Sequence, residues 1–271
     1  MEDNCLRMQE VNTIRSIKYV GISIFTLLTF LAGWYFVAES GLVSPLFVPS
    51  PVRVWETFLA ICFGEGYKGS SLWVHLGVSL YRIGLAFVLA TLIAVPLGLV
   101  CGYSKTLQAM ISPLVHFYRP LPPLAYYTVL VIWLGIGDAS KVALLFFAGF
   151  APIFISCQSA IEEINPSRVI VARTLGASTR QVFFHVIVPS CLPQIFTGLR
   201  TSLGFIYTTL VAAEMVAAIS GVGWMVLDAS KFLQSDVMFV GIILMGITGL
   251  LIDAVFNIIE KKIIPWKGRG E

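Results

Sequence analysis

Arg119, Arg200, Glu214 and Asp253 lie in or beside apolar runs of this chain, at depths where hydrocarbon would surround them. A charge at the centre of a bilayer costs at least about 2.5–3.5 kcal/mol, so such a group faces a cavity or a partner. Arg119 is followed at once by Pro120, Pro122 and Pro123, which must kink or break any helix that carries it. Broken helices at membrane depth survive only when buried in protein or lining a watery path. A guanidinium beside such a break offers a fork of donors suited to an oxyanion. Arg119, Pro120, Pro122, Pro123 and Glu214 are therefore candidates for a substrate pathway. The competing reading pairs Arg119 with Glu214 between two copies of the chain. Arg200 and Glu214 are fourteen residues apart, which turns them only about 40° from one another but separates them by about 21 Å along a helix. They share a face and do not pair. For Arg200, Glu214 and Asp253, pairing between helices competes with a pathway role, and Arg200 and Asp253 also lie where they can snorkel.

A second group of functional candidates is polar and sits between apolar runs, from Asn165 to Pro193. Asn165 is suited to cap a helix whose first residue is Pro166, where a missing N–H costs nothing. Gly176 is suited to end that helix in a left-handed conformation. Ser178, with Gln181 three residues on, offers a capping box for a new helix. The resulting element carries Arg168, Arg173 and Arg180 and is bounded by Gly176 and by Pro189 and Pro193. It reads as a docking element able to pass a rigid push to the spans. An amphipathic helix lying on the lipid interface is the alternative.

Other chemistries find little support. The five cysteines, at 5, 62, 101, 157 and 191, show no paired metal spacing, and the three histidines are dispersed. Gly221-Val222-Gly223 lacks the strand and further glycines of a dinucleotide loop. No nucleophile elbow, phosphate-cradling Gly-Lys-Ser loop or paired catalytic carboxylates occur, so no cofactor or metal is expected on this chain. If ATP is used, another chain must bind it.

The elements that position these residues are membrane spans. Apolar residues make up 57% and charged residues 12% of the 271, with a mean hydropathy of +0.87. A soluble domain needs a far larger charged surface. Runs of near-spanning length occur at 20–38, 83–104, 120–137, 142–161 and 237–252, and a sixth at 192–218 is interrupted by Arg200 and Glu214. The last run reaches spanning length by continuing to about Ile259, and the third helix is expected to begin near Leu107 and pass through Arg119. Six spans follow. With the N-terminus inside, the inner side holds eleven Lys or Arg residues (Arg7, Arg15, Lys18, Lys105, Arg168, Arg173, Arg180, Lys261, Lys262, Lys267 and Arg269) against four outside, at 53, 68, 141 and 231. The net charge of +3 thus reflects orientation and not nucleic-acid binding. The first run exceeds a signal peptide's apolar core, no small-residue cleavage site follows it, and it is taken as an anchor. The expected order is a cytoplasmic segment 1–19, an anchor 20–38, a periplasmic linker 39–71, a transmembrane domain 72–260 with its docking loop at 162–190, and a basic cytoplasmic tail 261–271. Tyr126, Tyr127, Trp133, Phe146, Phe147, Tyr207 and Trp224 are expected mainly as packing or interface residues.

Gly176, nine residues, then Val186-Ile187-Val188-Pro189 reproduces the spacing of a motif of bacterial type I ABC-importer permeases: Glu-Ala-Ala, three residues, Gly, nine residues, Ile-x-Leu-Pro. Ile170, Val171 and Ala172 occupy the Glu-Ala-Ala positions, so the motif's glutamate and first alanine are replaced. The stretches 44–51, 118–125, 132–137, 210–214 and 232–237 resemble the nitrate, sulfonate and taurine branch of that family, and the taurine permeases most.

The resemblance implies an all-α polytopic permease in the bacterial inner membrane, both termini cytoplasmic. It implies a homodimer with two ATP-binding-cassette ATPases on its inner face, which hold ATP and Mg, and a separate periplasmic or lipid-anchored binding protein outside. By resemblance the ATPase-coupling residues are Pro166, Arg168, Val169, Ala172, Arg173, Leu175, Gly176, Ala177, Ser178 and Pro189. The implied function is import of a small organic anion, taurine or another alkanesulfonate, by alternating access. Nitrate, bicarbonate and nitrogen heterocycles are rival substrates within the family. A secondary transporter or channel is the rival from another class, but no internal inverted repeat is visible. A membrane enzyme is disfavoured by the lack of a catalytic constellation.

Overall fold

The computed structural model describes the backbone of residues 2–266 and, within them, the side chains of Tyr19, 21–216 and 218–266. Cys5, Arg7, Arg15 and Lys18, and the tail residues Lys267 and Arg269, whose charges enter the orientation argument, lie outside the described side chains. Eleven α-helices follow one another: α1 (Glu2–Glu39), α2 (Pro51–Phe63), α3 (Leu72–Tyr103), α4 (Lys105–Tyr118), α5 (Pro123–Leu134), α6 (Asp138–Glu162), α7 (Pro166–Thr174), α8 (Thr179–Val182), α9 (Val188–Ala217), α10 (Val222–Lys231) and α11 (Ser235–Ile263). A π-helical turn, Phe183–Ile187, joins α8 to α9.

Among the described residues, five helical stretches are long and apolar enough to cross a membrane: Gly21–Glu39, Leu72–Tyr103, Asp138–Glu162, Thr179–Val216 and Ser235–Ile263. The expected third span, from about Leu107 through Arg119 to 137, is not one helix. It divides into α4 and α5, with Arg119 to Pro122 between them. Three prolines within five residues remove the amide donors that a continuous helix needs. Arg119 still donates its N–H to Val115 O at 3.0 Å, and Pro123 then starts α5 in a position that favours proline. The expected linker 39–71 also differs, because it contains α2. Ser50 accepts from Arg53 N and Pro51 opens the helix, a local start signal of the ordinary kind.

α3, α6 and α9 form the core. Small residues let their backbones approach, as is usual between membrane helices. A Cβ on Gly98 of α3 would stand 2.7 Å from Phe154 O of α6, and one on Gly149 of α6 would stand 2.5 Å from Ile206 Cδ1 of α9. Ser202 of α9 donates to Gly149 O at 2.9 Å across the same crossing. Cys101, Cys157 and Cys191 are buried here as free thiols, acting as small apolar residues. α1 stands apart from this core. Its span has no buried residues, and it is held near its C-terminal end by Trp34, which stacks on Phe239 and donates to Pro49 O at 3.1 Å.

Candidate functional site

The polar element from Asn165 to Pro193 has the local structure that its residues dictate. Asn165 Oδ1 accepts from Ser167 N at 2.9 Å, α7 runs to Thr174 with Leu175 as its C-cap, and Gly176 takes φ +81°. A side chain at that φ would be strained, which is why glycine stands there. Ser178 and Gln181 form the reciprocal capping box, with Ser178 N donating to Gln181 Oε1 at 2.8 Å. Val169, Ala172 and Ala177 pack on the main core, which fixes the element to the bundle. Ile170, Val171 and Leu175 point away and are exposed, Leu175 at 83%. Arg168, Arg173, Pro166, Gly176 and Ser178 are exposed beside them. Pro189, half-buried, sits in the first turn of α9. The element thus presents a rigid tip that is apolar at its centre and basic at its edge.

The second region lies at the α4–α5 break. Arg119 ends α4, and Tyr118, Leu121, Pro123 and Tyr126 line a cleft of about 240 Å³ with Phe147, Ser156 and Pro152 of α6 and Thr201 and Phe205 of α9. One water needs roughly 10–15 Å³ measured in this way, so the cleft admits a small organic molecule. Tyr118 and Tyr126 each meet Phe147 edge-on, at 6.0 and 6.3 Å between centroids. The Tyr118 hydroxyl is buried without a hydrogen-bond partner among the described residues. The Arg119 side chain is exposed and has no hydrogen bond or ion pair among them. Pro120 is exposed in the break itself, and Pro122 caps α5. The N-terminus of α5 adds a partial positive charge beside the guanidinium. The cleft therefore favours an anion.

Glu214 is elsewhere. The structure encloses it completely and does not bring it to Arg119. Arg82 of α3, buried like it, donates through Nη1 to Glu214 Oε1 at 2.7 Å and to Ser220 O at 2.9 Å. The other edge of the same guanidinium holds Asp138, at the start of α6, through Nε at 2.8 Å and Nη2 at 2.6 Å. Ser79 Oγ donates to Glu214 Oε1 at 2.8 Å, and Gly223 N donates to Oε2 at 3.0 Å. A buried carboxylate is tolerable only when paired and fully hydrogen-bonded, as here. Sequence reading did not single out Arg82. The available signal was its place one residue before an apolar run that also needs a partner for Glu214. Arg200 and Asp253 do pair, through two parallel bonds of 2.8 Å each, and Asn257 Nδ2 adds a third to Asp253 at 3.2 Å. This clasp joins α9 to α11.

Residues 94–265 match the family described as binding-protein-dependent transport system inner membrane component. The chain is 42% identical to the taurine transport system permease protein TauC of Escherichia coli (strain K12), over 93% of this chain and 91% of that one. It is 32% identical to the putative aliphatic sulfonates transport permease protein SsuC of Bacillus subtilis (strain 168), over 89% and 86%. Its fold matches a chain of the MetNI methionine ABC transporter in an inward-facing conformation with a TM-score of 0.63 at 18% identity, covering 71% of this chain and 97% of that one. The chain therefore belongs to the binding-protein-dependent inner membrane components and is the permease subunit of an ABC importer.

Proposed function

We propose that this permease imports a small organosulfonate, taurine or a related alkanesulfonate, by alternating access as a homodimer. The observation that carries the anion reading is Arg119, an exposed guanidinium left without a partner among the described residues at the edge of the α4–α5 cleft. A sulfonate presents three oxygens to the guanidinium fork, and the aromatic wall of Tyr118, Tyr126, Phe147 and Phe205 suits a short carbon chain. The taurine and aliphatic-sulfonate permeases among its relatives support the same substrate class. Pro120, Pro122 and Pro123 keep the break open beside Arg119, and Glu214, enclosed by Arg82, Ser79 and Gly223, braces the helices without lining this cleft.

Two ATPase subunits, carrying ATP and Mg, dock on the α7 tips at the cytoplasmic face, and a separate binding protein delivers substrate outside. Both termini lie inside. In each protomer Ile170, Val171 and Leu175 enter an apolar groove, and Arg168 and Arg173 meet its rim. With Ile170 where the family motif has glutamate, apolar burial and basic charge carry the contact.

Reconstituting the permease with its ATPase and binding protein tests the proposal. Uptake of labelled taurine is expected, competed by alkanesulfonates and unaffected by equimolar nitrate. Nitrate competing as well as taurine would overturn the sulfonate reading. Gly176→Val, which forces a β-branched residue into a left-handed conformation, and Arg173→Glu are each expected to abolish substrate-stimulated ATP hydrolysis while the permease stays in the membrane. Normal transport by both variants would overturn the docking assignment.

A further inference from the structure

Ser156 of α6 lines the cleft at the α4–α5 break, half-buried, and makes no hydrogen bond among the described residues. Hydroxyls in apolar helices commonly return to the carbonyl four residues back. Thr197, Thr201 and Thr208 of α9 and Thr248 of α11 all do so here. Ser156 does not. Packing fixes its place instead, since a Cβ on Gly198 of α9 would stand 2.6 Å from Ser156 Oγ. A hydroxyl left unpaired among apolar helices costs free energy, and a ligand in the cleft can recover it.

The cation of the cleft stands at another height. α4 and α6 run antiparallel, and two side-chain pairs fix their register. Gln108 donates to Glu162 at 2.6 Å and Ser112 to Gln158 at 2.9 Å. Four residues forward on α4 thus answer four residues back on α6. Carried on to Arg119, this register sets it level with Ala151, which also lines the cleft. Ser156 is five residues further along α6, about 7.5 Å along the axis. That is further than the oxygens of one sulfonate spread. It falls within the reach of a two-carbon chain with a hydrogen bond of about 3 Å at each end. No Asp or Glu lines the cleft among the described residues, so a hydroxyl and not a carboxylate meets the far end of the ligand.

We propose that Ser156 is a specificity-determining residue of this cleft. Arg119 holds the sulfonate, and Ser156 Oγ accepts from an ammonium group two carbons away, so the site favours aminoalkanesulfonates over plain alkanesulfonates. This rests on the sulfonate reading of the cleft. An ammonium group is a donor only, and a serine oxygen offers it two lone pairs. The bond is charge-assisted and forms out of water, where such bonds are strong. An ethyl group in the same place leaves the hydroxyl as unpaired as it is in the empty cleft.

The test uses the permease with its ATPase in lipid nanodiscs, without binding protein, so that only the permease's own site responds. Thermal melting is followed while taurine or ethanesulfonate is titrated, since a ligand of the folded state raises melting according to its affinity. The unaltered complex should need roughly tenfold more ethanesulfonate than taurine for the same rise, the factor set by one hydrogen bond to a charged group. Ser156→Ala should weaken taurine to the level of ethanesulfonate and leave ethanesulfonate unchanged. Without ligand it should melt with the unaltered complex, because the hydroxyl makes no bond there. Ser159→Ala, which removes a hydroxyl of the same helix outside the cleft, should leave both titrations unchanged. If Ser156→Ala fails to assemble, Ser156→Cys, similar in shape but with a weak sulfur acceptor, decides. Equal weakening of both ligands, or a retained preference for taurine, would overturn the inference. So would a full transporter that carries taurine while taurine leaves the melting of the nanodisc complex unmoved, and the importer reading would then stand. A full transporter that carries no sulfonate would overturn that reading as well.

Discussion

Arg82 and Arg119 are both arginines set among apolar helices, and they have opposite environments. Arg82 is sealed, with its donors engaged by two carboxylates and a carbonyl. Arg119 stands at a cleft with no partner among the described residues. The first is a charge that the fold has consumed. The second is a charge that the fold has left available, beside a backbone break and the start of α5. Identical side chains therefore divide into structure and chemistry according to what their neighbours leave unsatisfied. An intramembrane charge marks a functional site only once its partner has been sought.

The largest effect should come from breaking the sealed side. Arg82→Met leaves Glu214 buried with its main counter-charge gone, and loss of one member of a buried pair costs about 3–5 kcal/mol. Thermal melting of the purified permease should fall sharply. Adding Glu214→Gln should restore much of the loss, since a neutral amide needs no counter-charge. If the double variant melts no higher than Arg82→Met, the pair is not what holds this end together.

The available side predicts the reverse pattern. Arg119→Ala should melt within about 0.5 kcal/mol of the unaltered protein, while uptake falls roughly ten- to hundredfold with the loss of charge-assisted bonds to the anion. Arg119→Lys should retain partial uptake, because the charge persists without the fork. Combining Arg119→Glu with Glu214→Arg should not restore transport, since Glu214 already belongs to Arg82. Full uptake by Arg119→Ala would remove the residue from the pathway.

Sequence and structure meet where the signals are local. The α7–α8 element follows its prescription because Asn165, Gly176, Ser178 and Gln181 act within one turn of themselves. The break at Arg119 was legible from three prolines, yet the extent of the two helices was not, because proline chemistry says where hydrogen bonds stop and not how far the flanks run. α2 was read as linker although Ser50 and Pro51 are a start signal, its thirteen residues being too short to register as a span. Arg82 was not singled out for a different reason. Its neighbours in sequence make it look like the end of an apolar run, whereas Ser71 starts α3 early enough to place Arg82 well inside the helix. Its partners are 56 and 132 residues away. Pairing of that kind is a tertiary fact that no local pattern encodes.

Arg200 and Asp253 occupy the middle ground, paired by two good bonds yet each nearly half exposed on the protomer. Hydrogen bonds between membrane helices average about 0.6 kcal/mol and reach about 1.7. Arg200→Leu should therefore cost about 1 kcal/mol, well below Arg82→Met. A double-mutant cycle with Asp253→Leu measures the coupling directly. A coupling as large as that at Arg82 would show that this pair is sealed in the membrane and not half exposed as on the single chain.

The smallest effect is expected at the outer end of α10, where Asp228 meets Lys68 and Tyr67. Partial burial raises the Asp228 carboxyl, but the hydrogen bonds and charge of Lys68 and the Tyr67 hydroxyl outweigh it and hold the group below its ordinary value. Its own burial, and then the same contact with Asp228, push the Tyr67 hydroxyl up, so it stays protonated and keeps donating. A carboxylate held low adds stability that is complete above its unfolded-state pKa, about 3.9, and is lost as pH falls through the folded value. Melting should therefore be insensitive to this group from neutral pH down to about 5 and should lose its contribution only below about 4. Asp228→Asn should lie slightly under the unaltered protein at neutral pH and converge with it in acid. If the two curves stay parallel through pH 4, the Lys68 pair contributes nothing, and α10 is held by its buried N-terminus alone.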